Sequence, residues 1–106
     1  MANPWAGEVS VTLNGEVHVA RLTLGALAEL EAELGTGTLV ELVERFEAGR
    51  FSTRDVLMLI VAGLRGGGWT GRAADLVDVQ IGGGPVAAAQ VAAQLLARAF
   101  TVPEAR

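Results

Sequence analysis

The dipeptide Asn14-Gly15 commits the start of this chain to a β-hairpin. It separates two runs of β type, residues 8–13 (Glu-Val-Ser-Val-Thr-Leu) and 16–23 (Glu-Val-His-Val-Ala-Arg-Leu-Thr). A two-residue hairpin turn needs φ > 0 at both central residues, and Asn followed by Gly meets that need at least cost. The expected pairs are Leu13 with Glu16, Val11 with His18, Val9 with Ala20 and Glu8 with Arg21. Val9, Val11, Leu13, Ala20 and Leu22 then share one face, and Val17 and Val19 fall on the other. A one-residue bulge would shift this register.

From Thr23 the apolar period changes from two to about 3.6. Leu24, Leu27, Leu30 and Leu34 fall on one helical face, Glu29 and Glu33 on another, and Gly35 stands where a C′ glycine belongs. After Gly35-Thr36-Gly37, Thr38 is placed to cap a second helix with an apolar stripe of Leu39, Leu42, Val43 and Phe46. Glu41 and Arg45 form an i, i+4 surface pair on that helix, and Gly49 ends it. Ser52-x-x-Asp55 is a capping box with Asp in place of Glu, and it opens a third helix running to about Arg65. Val56, Leu57, Leu59, Ile60, Val61 and Leu64 make this helix apolar nearly all round, which predicts the central position. Gly66-Gly67-Gly68 stops it.

Residues 69–84 read as a helical turn near Ala73, with a short strand over 77–81 as the alternative. Gly82-Gly83-Gly84 leads into Pro85, a favourable first helical residue, and a last helix runs to Phe100. Gln90, Gln94 and Arg98 form one polar stripe on this alanine-rich cylinder, so it should pack on more than one side. The expected class is α+β and mainly helical: an N-terminal β-hairpin followed by four to five helices in a small bundle. One domain is expected over 1–106, divided into the hairpin (8–23), a three-helix core (24–65), a glycine-rich region (66–84) and the C-terminal helix (85–100).

Composition narrows what such a domain can do. Among 106 residues there is no cysteine, which rules out disulfides, thiolate metal sites and cysteine nucleophiles. All 8 basic residues are arginines and the formal net charge is -4. A dense basic face, which phosphate binding requires, is therefore not expected, and neither is a nucleic-acid partner. No basic-then-apolar run marks a signal peptide near the first residues, so a cytoplasmic location is expected. Hydrophobic residues reach 51%, with a mean hydropathy of +0.42. The longest apolar stretch, 85–100, is interrupted by Gln90, Gln94 and Arg98 and falls short of the roughly 20 residues that span a bilayer. With no membrane to cross, surplus apolar surface is expected to meet another protein.

Candidate chemistry is sparse. Gly82-x-Gly84-x-x-Ala87 matches a dinucleotide-binding fingerprint, whose glycines let a pyrophosphate approach a helix N-terminus inside a βαβ unit. No second parallel strand can follow it here, and Glu104 is the only late acid, so the loop reads as a connector. A phosphate-binding loop of the Walker type needs a lysine, and the chain has none. His18 is a lone histidine without metal-type spacing, Ser52 is better used as a cap, and Ser10 lies in no nucleophile motif. Glu29, Glu31, Glu33, Glu41, Glu44 and Glu47 read as solvated helix faces. Trp5 and Trp69 read as anchors at the edge of the core, or as interface residues. No enzyme, cofactor or metal is expected.

The order of features carries a resemblance. The hairpin with Asn14-Gly15 is followed by Arg21-Leu-Thr-Leu-Gly-Ala-Leu-Ala-Glu-Leu-Glu31, Leu42-Val-Glu-Arg-Phe46, Phe51-Ser-Thr-Arg-Asp-Val56 and Leu64-Arg-Gly-Gly-Gly68. Over residues 7–68 this pattern resembles the gene-transfer-agent tail family, small proteins of phage-like tail-gene clusters described both as tail-tube-like and as tail assembly chaperones. The resemblance implies a non-enzymatic helper of tail morphogenesis, with the tape-measure protein and the tail-tube protein as partners and a possible homo-oligomer. The alternative it implies is a structural tail-tube or connector component. Trp69 and the last helix's Val86, Val91, Leu95 and Phe100 are the expected partner-binding residues.

Overall fold

The computed structural model describes residues 7–100 apart from 36 and 77. Trp5, Glu104, Thr36 in the first interhelical connection and Val77 at the start of the alternative strand lie outside the described residues. The fold is α+β and mainly helical. Its elements are β1 (Val9–Leu13), β2 (Glu16–Ala20), α1 (Leu24–Leu34), α2 (Leu39–Glu47), α3 (Thr53–Gly66), a 3₁₀ helix (Ala73–Leu76) and α4 (Gly84–Ala99).

The hairpin adopts the register its turn dictates. Asn14 and Gly15 have φ of 50° and 83°, and Val9 pairs with Ala20, Val11 with His18 and Leu13 with Glu16. Val9, Val11, Leu13 and Ala20 are buried and Leu22 is partly buried, while Val17 on the other face is exposed. The alternative strand after the 3₁₀ helix is reduced to one bridge, Ile81 against Leu13. Asn14 N–H donates to the Gln80 carbonyl at 2.8 Å, and Gly82 N–H donates to the Thr12 carbonyl at 2.9 Å. The free side of β1 is thus occupied at its end. Just after β2, Arg21 N–H donates to the Gly63 carbonyl at 2.8 Å, and Gly66 and Gly67 lie so close to the backbone of Val19–Arg21 that a side chain would collide with it.

Helix starts follow side-chain caps. Thr23 Oγ1 accepts from Ala26 N–H at 3.1 Å at the head of α1. Thr38 and Glu41 form a full capping box on α2: Thr38 Oγ1 accepts from Glu41 N–H at 3.1 Å, and Glu41 Oε1 accepts from Thr38 N–H at 3.0 Å. Ser52 and Asp55 do the same for α3, at 3.1 Å and 2.9 Å. Each box satisfies two donors that a helix start leaves without partners.

α3 is central, packing against α1, α4, β2 and the 3₁₀ helix. Its Ile60 and Leu64 join the hairpin face, Leu76, Ala88 and Leu95 in one buried cluster. Its Leu59 and Ala62 join Ala26, Leu30, Leu42, Ala92 and Leu96 in a second. Serving two clusters is the physical reason that helix is apolar nearly all round. α4 is shared in the same way, through Ala88 and Leu95 on one side and Ala92 and Leu96 on the other.

Several expectations need correction. Leu24 does not share the buried face of α1: it is 84% exposed, because α1 docks through Ala26 and Leu30, with Leu34 partly buried beside them. Glu41 acts on Arg45 through its charge, but the closest contacts of both residues lie elsewhere. Glu41 is engaged in the capping box, and the Arg45 guanidinium grips Asp55, with Nε to Oδ2 at 3.1 Å and Nη2 to Oδ1 at 2.8 Å. Phe46 of the α2 stripe is half-buried, and its ring stacks on Phe51 with centroids 4.5 Å apart and planes 7° from parallel.

Candidate partner-binding site

The five expected partner-binding residues do not form one surface. Successive helical residues turn by about 100°, so Val86 and Phe100 fall near one line of α4, and Val91 and Leu95 fall near the opposite line. Burial agrees with that division. Val86 is 70% exposed and Phe100 46% exposed, whereas Val91 is partly buried against the hairpin cluster. Leu95 is wholly enclosed there, a correction to its expected place at an interface: its methyl groups fill the space left by Gly63, where a Cβ would lie 2.7 Å from Leu95 Cδ1. Trp69 is half-buried over the same cluster, and its backbone N–H donates to the Leu64 carbonyl at 2.9 Å.

The residues weighed for chemistry are tied into local structure. His18 lies 3.5 Å from Glu16 on its own strand. Ser52 is engaged as a cap. In the glycine loop, Gly82 N–H and Gly84 N–H donate to backbone carbonyls of Thr12 and Ile81, and Gly83 and Gly84 take φ of 87° and 75°. Those angles are what the turn into α4 requires of its residues. Among the described residues there is no group of three or more His, Cys, Asp or Glu able to hold a metal ion, and no helix is long and apolar enough to cross a membrane.

A concave surface lies elsewhere, between α1 and α3, with a volume of ≈ 540 Å³. Its floor is apolar, made by Leu57, Met58 and Val61 of α3, all partly buried. Glu29 and Glu33 of α1 stand on one side. Arg54 and Arg65 of α3 and Arg72 before the 3₁₀ helix also border it. Arg65 Nε and Glu29 Oε1 approach to 3.8 Å. The sequence did hold a signal for this groove: Arg54, Leu57, Met58, Val61 and Arg65 recur at spacings of three, four and seven, a stripe of α3 whose Leu57 and Val61 also pack against the hairpin cluster.

Comparison with known proteins adds a family. The profile of the family described as phage tail tube protein, GTA-gp10, matches residues 6–102. The chain belongs to this tail family. The match runs beyond the residues 7–68 that carried the resemblance, and takes in Trp69, the glycine loop and all of α4. No curated protein and no solved structure matches the chain. Membership in a structural tail family gives the α1–α3 groove, with its apolar floor and borders of both charges, and the exposed ends of α4 a context, that of contacts between proteins.

Proposed function

We propose that this tail-family protein is a non-enzymatic morphogenesis factor, a tail assembly chaperone that binds tape-measure and tail-tube proteins in the host cytoplasm while the tail is built. The observation that carries this reading is the small sheet, closed at the turn end of β1 and at the far end of β2. A tube wall made by joining subunit sheets needs strands with open edges, and here the only described sheet has two strands. One of its edges is met by Gln80–Gly82, and the backbone of Val19–Arg21 is met by the end of α3. Closing these ends shortens the strand edge left for pairing with other chains. Meanwhile an apolar groove of helical dimensions stays open, as suits a protein that masks amphipathic helices. Tape-measure proteins are long helical chains with such surfaces. Co-expression with the tape-measure protein of the same gene cluster should raise its soluble yield and give a complex that survives purification; no gain and no complex would refute the chaperone reading.

The second reading, a structural tube or connector component, is favoured by the family description itself. Mass spectrometry of purified particles separates the two. A chaperone is scarce or missing in finished particles, and a tube subunit is abundant.

A further inference from the structure

α3 carries more apolar side chain than its two clusters enclose. Leu57, Met58 and Val61 remain partly open along the floor of the α1–α3 groove. From Arg54 to Arg65 this stripe runs about 16 Å at 1.5 Å per residue, three turns of helix. Such a length matches the i, i+3/i+4, i+7 anchors of one docked helix. The borders differ in sign. Glu29 and Glu33 are exposed on α1, and Arg54, Arg65 and Arg72 stand on α3 and the segment after it.

Resting on the reading above that the chain binds helices of tail proteins, we propose that this groove takes an amphipathic helix of mixed flanks, its apolar stripe bordered by a basic row on one side and an acidic row on the other. Charge complementarity carries the choice of occupant. Glu29 and Arg65 answer each other at 3.8 Å, so a helix with two acidic flanks meets Glu33 with like charge, and one with two basic flanks meets Arg54 and Arg72 with like charge. A mixed helix satisfies both borders, and it can do so in one direction only, since reversing it exchanges the flanks. A second copy docked symmetrically would offer the same concave face, which cannot fill a groove.

Fluorescence anisotropy of labelled peptides tests this with the full chain. The probe is three heptads of Leu-Ala-Ala-Leu-Glu-Gln-Lys, whose Glu and Lys flank the Leu stripe on opposite sides, against versions with Glu at both flanks or Lys at both. The mixed peptide is expected to bind about tenfold more tightly than either, and the difference should shrink in high salt. The double variant Arg54→Glu, Arg72→Glu should reverse the order in favour of the Lys-flanked peptide; both arginines are exposed, so its thermal melt should match the parent's. Val61→Glu, placed on the floor, should weaken all three peptides. No binding of the mixed peptide, equal affinities across the series, an unchanged order in the double variant, or a dimer by sedimentation that excludes the peptide would each overturn the proposal. The co-purification with tape-measure protein decides the broader reading separately, because it does not depend on which surface is used.

Discussion

Arg45 and Asp55 form a two-point clamp between α2 and the first turn of α3, with Nε to Oδ2 at 3.1 Å and Nη2 to Oδ1 at 2.8 Å. The Asp55 side chain is 8% exposed and its carboxylate also accepts from Ser52 N–H at 2.9 Å, so one group joins two helices and caps one of them. A bidentate guanidinium–carboxylate pair is stronger and more directional than a single ion contact. It orients α2, whose only fully buried residue is Leu42.

The clamp sets an expected pH dependence. Burial by itself would raise the Asp55 carboxyl; the Arg45 hydrogen bonds and charge, with the backbone and hydroxyl of Ser52, outweigh it and hold the group below its ordinary value. A carboxyl lowered in the folded state contributes stability that is present above its unfolded value, about 3.9, and lost as pH falls through the folded value. Asp55→Asn should therefore cost about 1–2 kcal/mol at neutral pH, the worth of a charged hydrogen-bond pair at a helix cap. Urea unfolding of both proteins from pH 7 down to pH 2 checks the sign. Their midpoints should converge in acid, below about pH 4, and a constant gap would show that the carboxylate charge is not what matters.

What could be read from the sequence was local, and what could not was long-range. Asn14-Gly15 fixed the register because a two-residue turn leaves no freedom, and Thr38 and Ser52 marked helix starts because a cap lies within three residues of the N–H it serves. Helical spacing pairs Arg45 with Glu41, four residues away on the same helix, but its hydrogen-bond partner lies ten residues on, across a turn. Periodicity grouped Leu24 with Leu30 and placed Leu95 on an apolar side of α4, but period alone cannot say which side a neighbour covers. The α1–α3 groove escaped for the same reason, since its borders come from two helices and the segment before the 3₁₀ helix, which only packing brings together.

Two glycines in helices should answer differently to an added methyl. At Gly25 the nearest atom to such a methyl is Thr23 Oγ1 at 3.9 Å, so Gly25→Ala should stabilise by about 0.5 kcal/mol through the unfolded chain's lost freedom. At Gly66 the methyl meets the Arg21 carbonyl oxygen, where α3 touches the strand backbone. Gly66→Ala should cost about 2–3 kcal/mol, because overpacking against backbone outweighs the better helix propensity. Opposite shifts of melting temperature are the expected result, and a rise for both would mean that α3 does not lie so close to β2.

Phe46→Ala should cost about 2 kcal/mol, less than the 3–5 kcal/mol usual for a fully buried aromatic, because Phe46 is only half-buried. Part of that cost belongs to the Phe51 ring stacked on it. A double-mutant cycle with Phe51→Ala should give a coupling of about 0.5–1.5 kcal/mol. Additive effects would mean that the two rings do not meet in solution.

Leu95 and Val86 separate stability from binding along α4. Leu95 is fully enclosed among the hairpin, α3 and α4, so Leu95→Ala should cost about 2–5 kcal/mol by loss of contacts and the cavity left behind. Val86 is 70% exposed, and Val86→Ser should change stability by less than about 0.5 kcal/mol. Chemical unfolding measures both. A loss of tape-measure co-purification by the Leu95 variant then reports a damaged fold, whereas the same loss by Val86→Ser, with an unchanged unfolding midpoint, would place a contact at the start of α4. If Val86→Ser instead unfolds the protein, that turn is buried by an oligomer, and the midpoint should then rise with protein concentration.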